Sequence, residues 1–90
     1  MWIVKEHRNI QKSLKNAPIE IQKKYIAWKR IIENQGPQGL KLIKGFHDEK
    51  LKGEWEGYRS SRLNLQWRVI YLIEKDECVV YAISINSHKY

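Results

Sequence analysis

The hydrophobic period of this chain changes once, and that change limits the folds that it can adopt. In the first half, Ile21, Tyr25, Trp28 and Ile32 recur at intervals of four, three and four, which places them on one face of an amphipathic helix. From Glu54 onward, apolar and polar residues alternate with a period of two, which is typical of strands. A chain with a helical half followed by a strand half is expected to fold as an α+β domain.

The helical half has recognisable ends. Trp2–Val4 is β-branched and aromatic, which predicts a short strand, and residues 7–16 predict a short, mostly solvated helix. Pro18 suits the first turn of the next helix, because a missing N–H costs nothing there. Gly36 and Pro37 then end this helix, since glycine accepts a left-handed cap and proline cannot continue the helix. We expect the two helices to form a hairpin.

The alternating half predicts three strands, at residues 55–63, 66–73 and 78–85. Their connections are short, so the strands should form an antiparallel meander. Residues 36–53 have neither period and predict an irregular, basic connector. The element order is therefore β-α-α-β-β-β, and the fold class is α+β, with a two-helix hairpin packed on one face of an antiparallel sheet. The length of the chain, 1–90, fits a single domain.

Net charge narrows the choice of partner. The chain has 90 residues, with 17 Lys and Arg against 10 Asp and Glu, and its formal net charge is +7. Such an excess on a small domain favours a polyanionic partner, such as nucleic acid, an anionic lipid surface or an acidic protein. The apolar runs are too short to span a membrane, and charged residues follow the first strand closely, so we expect a cytoplasmic protein.

Metal and cysteine chemistry have little support in the sequence. Cys78 is the single cysteine, which excludes an intramolecular disulfide and a cysteine-based zinc site. His7, His47 and His88 have no ligand spacing between them and no cluster of carboxylates beside them. No glycine-rich phosphate loop is present. We therefore expect neither a metal nor a cofactor.

Cations are concentrated in the strand half. Arg59 and Arg62 lie on the first predicted strand of the meander, and Arg68 lies within an apolar stretch of the second. An arginine in the middle of a strand must be paired, reach an edge or face a site. Lys50 and Lys52 lie just upstream of this segment.

Strand parity assigns these residues to faces only where the strands are regular. It places Arg68 on the face of Ile70. A regular last strand would place His88 on one face with Val80, Ala82 and Ser84. The pattern leaves open whether the two faces coincide.

Residues 51–71 contain a Leu-x-Gly segment, a strand that ends in Ser-x-Arg-Leu, a turn, and Trp-Arg followed by three apolar residues. This pattern resembles the hallmark stretch of the RelE/ParE toxin superfamily, the small basic toxins of type II toxin–antitoxin pairs. Residues 85–90, which end in His-Lys-Tyr, resemble the C-terminal tails of its YoeB-like and HigB-like ribonucleases. Residues 40–46 resemble the RelE/StbE branch.

The resemblance implies a RelE-like domain and an mRNA interferase that inhibits translation. Such toxins are metal-independent endoribonucleases that act on mRNA, usually on the ribosome, and a cognate antitoxin with an acidic segment inhibits them. The ribose 2′-hydroxyl attacks the neighbouring phosphate, which leaves a cyclic phosphate and a free 5′-hydroxyl. This chemistry needs a base, an acid, and cations for the charge of the phosphorane.

The resemblance also implies roles for particular residues. Arg68 matches the arginine of the Trp-Arg motif and would bind the scissile phosphate. His88 matches the histidine of the tail and would be the general acid, because its ordinary pKa is near neutrality. Tyr90 would stack on a base or orient a phosphate. Backbone phosphates would be bound by the other cations of the segment: Lys50, Lys52, Arg59 and Arg62.

The general base and the branch of the family stay open at this point. Glu54 is the carboxylate nearest to the motif and is our expected base, with His47 as its rival. The tail here is His-Lys-Tyr rather than the adjacent His-Tyr pair of YoeB-like toxins, so Tyr90 need not occupy the place of that tyrosine. Two alternatives are a ParE-like toxin that poisons DNA gyrase by binding, and a nucleic-acid-binding module without catalysis.

Overall fold

The computed structural model describes residues 1–87 of the chain, which form a five-stranded mixed sheet with two helices on one face. The helices and strands are β1 (Ile3–Glu6), α1 (Asn9–Lys15), α2 (Ile19–Gln35), β2 (Glu49–Lys50), β3 (Arg59–Arg62), β4 (Trp67–Glu74) and β5 (Val79–Ser87). Short 3₁₀ turns lie at Pro37–Leu42, Lys44–Phe46 and Gly53–Trp55. In residues 1–87, none of the helices has the length and apolar character needed to cross a membrane.

The helical half agrees with the periodicity of the sequence. The buried residues of α2 are the four that the spacing selects, Ile21, Tyr25, Trp28 and Ile32. Gly36 ends the helix at a φ of 79°. A Cβ atom there would lie 2.8 Å from Nε1 of the Trp2 indole, so close approach and backbone angle both require glycine.

The order of the strands in the sheet is β1-β5-β4-β3-β2. The predicted antiparallel meander is confirmed, because β3 pairs antiparallel with β4, and β4 with β5. The first strand differs from the predicted antiparallel sheet, since β1 pairs parallel to β5, with Ile3 opposite Val79. Its connection to the rest of the sheet runs through both helices, and a crossover of that length permits parallel pairing.

The strand predicted at residues 55–63 begins later in the structure, at Arg59. Gly53–Trp55 form a 3₁₀ turn, and Gly53 and Gly57 have φ angles of 70° and 94°, so the backbone reverses before Arg59. Trp55 and Tyr58 pack edge to face, with ring centroids 5.4 Å apart. Aromatic residues around a compact turn thus imitate the alternation of a strand.

Candidate functional site

The alternation of the sheet separates the predicted cations onto two faces. Ser61, Val69 and Tyr71 are buried on the face against which α1 and α2 pack. On the opposite face, which we call the open face, Arg62 lies directly across from Arg68, and Arg68 lies across from Asn86. These residues of three neighbouring strands therefore form one row.

The two arginines of this row lie side by side, and neither has an ion-pair partner among the described residues. Directly opposed residues of an antiparallel pair have Cβ atoms about 4.5–5.5 Å apart, and like charges at this separation destabilise the sheet. Within residues 1–87, neither Arg62 nor Arg68 forms an ion pair. Nε of Arg68 is buried and has no hydrogen-bond partner among the described residues. An anion between the two guanidinium groups would relieve the repulsion and accept this hydrogen bond.

A concavity of about 40 Å³, which we call the arginine concavity, lies at this row. Its lining residues are Glu49, Ser60, Arg62, Asn64, Leu65, Gln66, Trp67 and Arg68. Oδ1 of Asn64 accepts hydrogen bonds from the backbone N–H groups of Gln66 and Trp67, at 2.8 and 2.7 Å, so the turn between β3 and β4 is well defined. No group of three or more His, Cys, Asp or Glu side chains within residues 1–87 is arranged to hold a metal ion.

Glu49 is a carboxylate of the arginine concavity that the sequence did not single out. It lies on β2 opposite Ser60, which places it on the open face and diagonal to Arg62. Its side chain is half exposed, and its Oε2 lies 3.8 Å from Nε2 of His47. Because β2 is two residues long, no alternation could have revealed this strand in the sequence.

The expected base, Glu54, lies outside the arginine concavity. It lies in the 3₁₀ turn at Gly53–Trp55, is exposed, and does not line the arginine concavity. His47, its rival, lies 3.8 Å from Glu49, which lines the concavity. The backbone of His47 is left-handed, with a φ of 43°. Glu49 therefore lines the arginine concavity and His47 lies beside Glu49, whereas Glu54 does neither.

Arg59, expected to bind backbone phosphate, faces the helix-packed side of the sheet. Its Nε and Nη2 atoms donate hydrogen bonds to Oδ2 of Asp48, at 3.0 and 2.8 Å. The Asp48 side chain is only 1% exposed and that of Arg59 is 15% exposed, so the pair is largely removed from solvent. The structure thus gives Arg59 an internal partner, which makes it unlike Arg62 and Arg68.

Asp48 is the centre of a buried polar network that the sequence did not reveal. It also accepts hydrogen bonds from the Tyr71 hydroxyl and from the Ser61 hydroxyl, the latter at 2.8 Å. Ser61 in turn accepts a hydrogen bond of 3.0 Å from the indole N–H of Trp28. Burial and the neighbouring Asp48 carboxylate raise the pKa of Tyr71, so its hydroxyl stays protonated and donates. The network joins α2, β3 and β4 to the residue that precedes Glu49.

The predicted residues at the end of the chain, His88 and Tyr90, lie outside the described residues. The premise of a regular last strand is wrong, because a bulge in β5 changes the parity. Ser84 pairs with Ile70, whereas Ala82 pairs with Tyr71, so Ile83 is the extra residue. Ser84 and Asn86 therefore lie on the open face with Arg68, and Ala82 lies on the helix-packed face.

Comparisons with known proteins find solved structures with a similar fold. No family model and no curated protein sequence matches the chain. YafQ from E. coli strain BL21(DE3) has a similar structure, with a TM-score of 0.77, 17% identity, and coverage of 97% of this chain and 93% of the other. The archaeal RelE–RelB complex from Pyrococcus horikoshii OT3 matches with a TM-score of 0.75 and 23% identity, covering 96% of this chain and 93% of the other.

The YoeB–YefM complex from Staphylococcus aureus is a third similar structure. It has a TM-score of 0.73 and 21% identity, and the alignment covers 99% of both chains. At such identities the likeness establishes the fold. The predicted RelE-like α+β fold is therefore confirmed.

Proposed function

We propose that this chain is the toxin of a type II toxin–antitoxin system, an endoribonuclease that cleaves mRNA on the ribosome. The observation that carries the proposal is the opposed Arg62–Arg68 pair, which has no ion pair within residues 1–87 and leaves Nε of Arg68 buried without a partner. The fold supports it, since similar structures include a YoeB–YefM toxin–antitoxin complex and a DinJ–YafQ toxin–antitoxin complex.

The two guanidinium groups of the arginine concavity can stabilise the extra negative charge that a phosphodiester gains during cleavage. A guanidinium group presents planar, paired donors that match phosphate oxygens, and a second guanidinium opposite it adds positive charge. In the reaction, the 2′-oxygen bonds to phosphorus, negative charge grows on the phosphorane oxygens, and the bond to the 5′-oxygen breaks. In this proposal, Arg68 and Arg62, which lie opposite each other on neighbouring strands, stabilise this charge.

The proton that leaves the 2′-hydroxyl needs an acceptor beside the phosphate. We assign this role to Glu49, because it lines the same concavity as Arg62 and Arg68, which Glu54 does not. Nε2 of His47 lies beside that carboxylate, 3.8 Å from Oε2 of Glu49. A base in hydrogen-bond reach of the hydroxyl contributes about 10²–10⁴ in rate.

The proton that the 5′-oxygen gains comes, in this proposal, from His88. It follows Asn86 by two residues, and Asn86 lies opposite Arg68. Histidine can donate a proton near neutral pH, whereas arginine cannot. Tyr90 stacks on a base or orients the phosphate. Both assignments rest on the resemblance of residues 85–90 to the tails of related ribonucleases.

The partners of this proposal are mRNA, the ribosome and an acidic antitoxin, all in the cytoplasm. The net charge of +7 favours each of these polyanionic partners. Three of the cations expected to bind RNA are omitted from this proposal. Asp48 already pairs with Arg59, and Lys50 and Lys52 do not line the arginine concavity. No metal or cofactor takes part in the proposed steps.

Primer extension on mRNA after brief exposure of programmed ribosomes to the protein tests the proposal. New 5′ ends should appear with the intact protein and be lost with Arg68→Ala. A DNA supercoiling assay with gyrase should show no inhibition. Inhibition of gyrase without mRNA cleavage would replace the ribonuclease by a gyrase poison, and binding without either effect would leave only a nucleic-acid-binding module.

A further inference from the structure

A second, larger basic surface lies on the other side of β2 and β3 from the arginine concavity. We call it the lysine groove; it encloses about 720 Å³, and four of the residues that line it are Lys41, Lys50, Lys52 and Lys75. Lys50 pairs with Arg59, so the two share a face of the sheet, whereas the adjacent Glu49 pairs with Ser60 and faces the arginine concavity. The two basic surfaces are therefore distinct.

The positive charge of the lysine groove is available to a ligand. All four lysines are exposed, and none forms an ion pair within residues 1–87. Arg59 also lines the groove, but Asp48 already neutralises its guanidinium. Glu56 is the only carboxylate among the lining residues. The groove thus offers several free ammonium groups around one acid.

The residues that form the floor of the groove favour an acidic peptide over RNA. It contains the partly buried side chains of Leu51, Tyr58 and Ile73. Grooves for single-stranded nucleic acid usually combine cations with aromatic faces on which bases stack. Here aliphatic side chains form part of the floor, and the Tyr58 ring is already packed edge to face against Trp55. A ligand with both carboxylates and apolar side chains fits this surface better than RNA.

We propose that the lysine groove docks an acidic peptide segment of a partner protein, with apolar side chains on the floor and carboxylates at the lysines. The identification of that partner as the inhibitor of the toxin rests on the proposed function, whereas the docking itself does not. Because the arginine concavity lies on the other face, a segment in the groove anchors the partner without covering Arg68. Inhibition then needs a further segment that reaches the open face.

Fluorescence anisotropy with a labelled dodecapeptide of alternating Glu and Leu tests the docking on the full chain. The double variant Lys50→Glu/Lys75→Glu should weaken binding by about tenfold or more, which is about 1.4 kcal/mol. The matched control is Lys12→Glu/Lys23→Glu, which makes the same change of charge at exposed positions of α1 and α2. Equal weakening by both variants, or no binding to the intact protein, would overturn the proposal.

Two further probes separate a peptide site from other polyanion sites. A dodecaglutamate peptide should bind more weakly than the alternating peptide, because it has nothing to place on the apolar floor. The affinity for a twelve-nucleotide oligouridylate should depend on Arg68 and not on the groove lysines. If Lys50→Glu/Lys75→Glu loses more affinity for the oligouridylate than for the peptide, the groove is an RNA site and the proposal is refuted.

Peptide binding and mRNA cleavage, measured on the same protein, test the docking proposal and the proposed function separately. Arg68→Ala should leave the affinity for the alternating peptide unchanged, and a parallel loss of peptide binding would contradict two separate surfaces. If the intact protein does not cleave mRNA but binds the peptide through Lys50 and Lys75, the proposed function fails and the docking site stands.

Discussion

Arg59 and Arg62 belong to the same four-residue strand and have opposite surroundings. Arg59 faces the helices and donates two hydrogen bonds to the buried Asp48 carboxylate. Arg62 faces the open side, where its direct neighbour across the strand pair is another arginine. The difference teaches that the number of cations on a strand does not locate a site. We expect the site where the described residues leave positive charge without an internal partner.

Removal of Asp48 should have the largest effect, and it should act on stability. Asp48→Ala leaves the Arg59 charge in a largely buried position and takes the acceptor from Ser61 and Tyr71. Breaking a buried pair in this way costs about 3–5 kcal/mol. Urea denaturation measures this loss, with Asp76→Ala at an exposed turn as the control. If Asp48→Ala unfolds the domain, Asp48→Asn should retain the fold and still lose stability; equal stability of Asp48→Asn and the parent would contradict the network.

A matched pair of variants, at Glu49 and at Glu54, tests whether the general base lies in the arginine concavity. Glu49→Gln should reduce the cleavage rate by about 10²–10⁴, because glutamine cannot accept the proton of the 2′-hydroxyl. Glu54→Gln makes the same chemical change in the exposed turn and should leave the rate near that of the parent. Both rates can be measured by primer extension. A loss confined to Glu54→Gln would restore the assignment made from the sequence alone.

The smallest expected effect concerns the repulsion between the opposed arginines. Arg62→Gln should raise the free energy of unfolding by about 0.2–1 kcal/mol, since it removes one of two like charges directly across a strand pair. Arg59→Gln on the same strand should lower it, because it breaks the pair with Asp48. Urea denaturation in low salt without phosphate measures both. Destabilisation by Arg62→Gln would show that Arg62 has a structural partner instead.

The parts of the fold that depend on local periodicity could be predicted from the sequence. The spacing of Ile21, Tyr25, Trp28 and Ile32 gave the buried face of α2, and Gly36 gave its end. The alternation around Arg68 gave β4 and its antiparallel partners. In each of these segments, the signal and the structure extend over the same few residues.

The parts that depend on pairing between distant residues could not be predicted in this way. β2 is a strand only because Glu49 and Lys50 pair with Ser60 and Arg59, and it brings a carboxylate to the arginine concavity. Asp48 is recognisable as a network centre only once β3, β4 and α2 surround it. The parity of β5 changes at Ile83, where a bulge against β4 inserts one residue.

The measurement that tests the central claim most directly is single-turnover mRNA cleavage on programmed ribosomes by the parent, Arg68→Ala and Arg68→Lys, with circular dichroism as the control for folding. If the Arg68 guanidinium, whose Nε has no partner among the described residues, stabilises the phosphorane, Arg68→Ala should lose on the order of 10²–10³ in rate. Lysine should restore little of this loss, because a point charge cannot reproduce the planar fork. A folded Arg68→Ala protein that cleaves mRNA at the parental rate would contradict the account.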